Sequence, residues 1–130
     1  MPGSSRLYFM TDSKKLLLEI LEITNFEGET EAFAEMFMDL IFEETVYSLM
    51  KSLPEKRREK AATKWDNNTE NQAALNSILE HYFTKVQIAD ASEKTASKAI
   101  NDYLHSIEKT LDDGQKAKLR ELPKVFNLNI

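Results

Sequence analysis

The sequence predicts an all-α fold, a six-helix bundle built from two related three-helix repeats, each running medium, long and short. Three observations predict it. Apolar residues recur at helical spacing, capping residues and prolines cut the chain into six segments, and the chain matches itself when shifted by 58 residues. Period-two alternation is confined to the short stretches KVQIA (85–89) and VFNLNI (125–130), so strands are not expected.

A chain of 130 residues, 42% apolar and 30% charged, suits one domain with its own core. Residues 1–10, opening Met-Pro-Gly-Ser-Ser, read as a flexible leader, 11–122 as the single helical domain (repeat one 11–64, repeat two 69–122), and 123–130 as a C-terminal tail. With no cysteine, disulfide frameworks and thiolate chemistry are excluded, and a cytoplasmic location is expected. Every helix-length window carries charge, so no membrane partner is expected.

Each element has its own signals. Thr11-Asp12-Ser13 offers N-caps before KKLLLEILEIT, in which Leu17, Ile20, Leu21 and Thr24 share a face; this first helix should end between Asn25 and Gly28. Glu29-Thr30 opens a long helix through Leu53. Pro54, tolerated in a first turn but not in a helix interior, starts a short one through about Lys64. After a break at 65–68, Thr69 with Gln72 three residues later reads as a capping box for a helix through Tyr82. Residues 84–90 are expected as a connection, Asp90 or Ser92 as the cap of a helix reaching Leu111, and Asp112 or Asp113 as the cap of a last short helix through Leu122, stopped by Pro123.

The repeat rests on residues laid over one another by the 58-residue shift. Thr11/Thr69, Leu17/Leu75, Ile20/Ile78, Leu21/Leu79, Glu22/Glu80, Glu35/Glu93, Ser48/Ser106, Lys51/Lys109, Leu53/Leu111 and Lys60/Lys118 are identical. Phe42, Val46, Leu49 and Leu53 fall on Ile100, Leu104, Ile107 and Leu111, one apolar stripe down each long helix. Convergent amphipathic patterning is the alternative explanation.

The segment DLIFEETVYSLMKSLPEKRREK (39–60) resembles a helical domain of unknown function from small bacterial proteins, in which an apolar helix ends in Leu-Pro-Glu before a charged helix. The resemblance implies a helical fold and no activity. The second half departs from it, with Asp112-Asp113 in place of Pro54-Glu55.

The greasiest run, AEMFMDLIF (34–42), separates the two halves. Phe33, Met36, Phe37, Leu40 and Ile41 fall on Ala91, Lys94, Thr95, Lys98 and Ala99, so only the first long helix carries this second apolar face. At 100° per residue it fans away from Phe42, Val46, Leu49 and Leu53. A central helix in a monomer would bury both faces. The other reading makes Phe33, Met36, Phe37, Leu40 and Ile41 an interface for a second copy of the chain (a homodimer) or another helical protein.

Signals for chemistry are thin. Asp102 precedes His105 by three residues, a fragment of a bundle metal site that lacks a second such pair, and the ladder Glu31, Glu35, Asp39, Glu43 reads as a solvated helix edge. No strained serine elbow or glycine-rich phosphate cradle is present; no catalytic residues, metal or cofactor are expected, and the protein reads as non-enzymatic. The runner-up is a nucleic-acid-associated regulator using Lys56, Arg57, Arg58, Lys60, Lys64 and Trp65, where bases and a stacking ring coincide. The net charge of −5 works against that grip on phosphates.

Overall fold

A computed structural model describes residues 11–122; the leader and tail expected at 1–10 and 123–130 lie outside the described residues. The order is α1 (Thr11–Ile23), α2 (Thr30–Lys51), α3 (Glu55–Asp66), α4 (Gln72–Tyr82), α5 (Lys85–Ile107), a 3₁₀ turn (Glu108–Thr110) and α6 (Asp113–Arg120). Among the described residues there are six α-helices in the expected order and no strand.

The ends of the helices follow from local chemistry. Beyond α1, Asn25 takes a left-handed backbone (φ 57°), its N–H donating to Glu22 O while Phe26 N–H reaches back to Leu21 O, which closes the helix in a Schellman motif. Pro54 precedes α3, as its missing N–H and fixed φ favour. Asp112 caps α6, its carboxylate accepting from Gln115 N–H while the Gln115 side chain accepts from Asp112 N–H.

Two expected boundaries are corrected. α3 runs past Lys64 to Asp66, and a turn of successive bonds (Asn68 N–H to Trp65 O, Asn71 N–H to Asn68 O) absorbs Thr69 and Glu70, so Asn71 rather than Thr69 caps α4 by accepting from Ala74 N–H. Residues 84–90 are not a connection: Thr84 and Gln87 form a capping box, and α5 begins at Lys85, ahead of both Asp90 and Ser92. The alternation of KVQIA misled, because Ile88 belongs to a stripe at four-residue steps continuing through Ser92, Ala96, Ile100 and Leu104, all buried.

The broadest contact in the molecule is between α2 and α5. α1 lies on α2, α3 touches both α2 and α4, and α6 returns to pack on α1. The expected core forms: Leu17, Ile20, Leu21, Phe42, Val46, Leu49 and Leu53 are buried, as are Leu75, Leu79, Ile100, Leu104 and Leu111, while Ile78 and Ile107 are half-buried. Met38 and Ala34 extend the buried side of α2. Polar groups drawn into this interior find partners. Thr45, fully buried, donates its hydroxyl to Ile41 O at 2.7 Å, and among the described residues no buried side-chain N or O lacks a hydrogen bond.

Candidate interaction surface

On a helix, the side opposite the core is solvated, and its residues are normally polar. α2 breaks this rule. Its buried residues Ala34, Met38, Ile41, Phe42, Thr45, Val46 and Leu49 form one side, yet Met36 (54% exposed), Leu40 (53%) and Tyr47 (63%) line up on the other at steps of four and seven residues. These three, with Val86 at the start of α5, are the exposed large apolar residues among those described.

The five residues expected to form an interface therefore divide. Ile41 is 1% exposed and belongs to the core of its own chain, so it is not available to a partner. Phe33 and Phe37 are half-buried in an aromatic cluster: Phe33 lies 4.7 Å from Phe26 and 5.6 Å from Tyr103, and Phe37 lies 6.0 Å edge-on from Tyr103. Only Met36 and Leu40 face solvent, because the fan spans about 140° and its edge turns toward α5. Tyr47 is not among the residues expected from the sequence. It stands eleven residues beyond Met36, close to three full helical turns, so the line was already present in the sequence.

Two grooves flank Tyr47. One, between α2 and α3, is an apolar cavity of about 350 Å³ floored by Val46, Met50, Ala62 and Trp65 and edged by Glu43, Lys51, Arg58 and Asp66. The other, about 570 Å³, runs between α2 and α5 and is lined by charged residues, Lys51, Lys94 and Lys98 with Glu44 and Asp102. Lys98 bonds Asp102 at 2.8 Å, and this hydrogen bond holds its ammonium above the ordinary lysine range.

The basic segment is largely engaged within the chain. Arg58 donates to Leu53 O at 3.0 Å, covering the carbonyl end of α2, and Arg57 and Lys64 both lie over the ring of Tyr82 on α4, at 5.1 and 5.8 Å. Trp65 packs on Phe42 with ring centroids 5.9 Å apart. Lys56 and Lys60 are exposed.

Titratable groups elsewhere serve packing. Lys14 bridges α1 to α2 through Glu35 (2.9 Å) and Glu31 (3.1 Å), and these carboxylates raise its pKa. The first two rungs of the acidic ladder are thus an interhelix tie. Tyr103 is raised by burial, partly opposed by a hydrogen bond with Thr24. His81 and His105 are both exposed, His81 standing edge-on to Tyr82 at 4.9 Å. Among the described residues no group of three His, Asp or Glu side chains is placed to hold a metal ion, and no helix is long and apolar enough to cross a membrane. No protein-family model, curated protein or solved structure matches the chain.

Proposed function

We propose that the protein is a non-enzymatic, cytoplasmic interaction module that self-associates through the exposed apolar line of α2. One observation carries the reading: Met36, Leu40 and Tyr47 are more than half exposed on a helix whose opposite side is fully occupied by its own core. Scattered single apolar residues on a surface need no explanation, but Met36, Leu40 and Tyr47 share one side of α2, broken only by Glu43 between the last two. Methionine and tyrosine are favoured at contacts between proteins. The line is short, which argues for an interface at the small end of the range, below about 1,200 Å² in total, and hence for concentration-dependent association.

Light scattering at two concentrations tests this, with mass rising on concentration for the natural chain and staying monomeric for Leu40→Asp of unchanged helical circular dichroism. A natural chain that stays monomeric at both concentrations contradicts the proposal. Phe37→Asp is a poorer probe, since Phe37 also supports Tyr103.

The two-repeat organisation belongs to the same proposal, and two reciprocal contacts support it. The short helix of each half packs on the first helix of the other, α6 on α1 and α3 on α4. Equivalent positions on the two short helices reach them: Gln115 donates to Ile23 O at the end of α1 (3.2 Å), and Arg57, its counterpart under the 58-residue shift, covers Tyr82, one residue past the counterpart of Ile23. The halves differ at their first loops, 24–29 in one and 83–84 in the other.

The nucleic-acid reading has less support, because four of its six residues are engaged with Leu53, Tyr82 or Phe42. Retention on heparin that disappears in Lys56→Glu/Lys60→Glu would revive it.

A further inference from the structure

Among the described residues nothing occupies the apolar groove between α2 and α3, and nothing covers the apolar line of α2. We propose that each satisfies the other across a two-fold axis: a second copy lies antiparallel along α2, placing Met36 of each chain in the Val46–Met50–Ala62–Trp65 groove of its partner, with Leu40 against the partner's Tyr47. This inference rests on the self-association reading and adds its register and its receptor.

Three observations lead to it. First, knob and hole sit at opposite ends of one helix. Met36 and Met50 are fourteen residues apart, about 21 Å along α2, so a two-fold axis beside Glu43 brings each Met36 onto the partner's Met50 and each Leu40 onto the partner's Val46–Tyr47 turn. A contact of this kind is isologous and closes at two chains. Second, the chemistry suits. Methionine is flexible enough to fill an irregular gap, and its sulfur gains from an aromatic edge such as that of Trp65. Third, opposite charges meet at one end of the contact. Asp39 stands one turn beyond the knob, while Lys51 and Arg58 stand at the groove. Glu43 and Asp66 line the groove too, so the attraction is concentrated at its Lys51 and Arg58 end, and the two Glu43 side chains approach each other near the axis. That last contact is unfavourable.

Paired variants make the test. Met36→Glu removes the knob and Ala62→Lys fills the hole; both are helix-compatible changes at residues outside the fully buried core. Each alone should sediment as a monomer at concentrations where the natural chain dimerises. Mixed in equal amounts they should form a heterodimer, in which one site keeps its native Met36 and Ala62 and the other joins the introduced carboxylate to the introduced ammonium. Glu43→Gln should tighten the homodimer several-fold by removing the repulsion at the axis. If the natural chain dimerises and Leu40→Asp abolishes it, but the mixture stays monomeric, the groove assignment is overturned and the self-association reading stands. If Leu40→Asp dimerises as well as the natural chain, both fall. Circular dichroism on each variant separates loss of association from loss of fold.

Discussion

Asn25 shows how much a single backbone angle decides. Left-handed φ is accessible to asparagine at modest cost and poorly to a β-branched residue, and the turn it makes sends Phe26 back onto the core before α2 begins. Asn25→Val should lower stability by about 1–2 kcal/mol and Asn25→Gly should be tolerated, as urea unfolding midpoints will report. The clearest correction to the sequence reading is also a matter of single residues. Thr84→Ala should cost about 1 kcal/mol by removing the α5 cap, whereas Thr69→Ala should have almost no effect, since Asn71 is the cap of α4. Both threonines carry a glutamine three residues on; only the folded chain distinguishes them, because α3 extends into the turn before Thr69.

Between elements, ion pairs and a half-buried phenol tie α1, α2 and α5 together in a pH-dependent way. Lys14 has its pKa raised by Glu35 and Glu31, and Tyr103 has its pKa raised by burial. In both cases the folded chain holds its proton more tightly than the unfolded chain. The stabilisation is therefore complete below the unfolded values, about 10, and is lost as pH rises through the folded ones. Denaturant midpoints should be level through neutral pH and fall above about pH 10, and Lys14→Met/Tyr103→Phe should flatten that fall. Lys98 is exposed, so its pair with Asp102 adds little to this effect. The core between the long helices is worth far more. Leu104, fully buried on α5, should cost about 2–5 kcal/mol when cut to alanine, a large share of the roughly 5–15 kcal/mol that holds a domain together.

For the molecule as a whole, the helical class, the order of lengths and most of the core were legible in the sequence, because a spacing of four, three and four states which side of each long helix turns inward. The surface was legible only in part. Periodicity showed that α2 is apolar on two sides, but where Phe33, Phe37 and Ile41 end up depends on the angle at which α5 approaches, and no local pattern encodes that. The structure turns Ile41 into the core, gives the two phenylalanines to Tyr103, and leaves Met36 and Leu40 outside with Tyr47. The grooves beside Tyr47 arise from how α3 and α5 pack against α2, which no local pattern states, so Trp65, read as a nucleic-acid stacking ring, becomes the floor of an apolar pocket.

Methyl NMR on a dilution series reports whether the line of Met36, Leu40 and Tyr47 is where one chain meets another. The Met36 and Leu40 methyl signals should move with concentration in step with the mass, while that of buried Leu104 stays fixed. Met36 and Leu40 signals that hold still across a range in which the mass changes would contradict an interface on this side of α2.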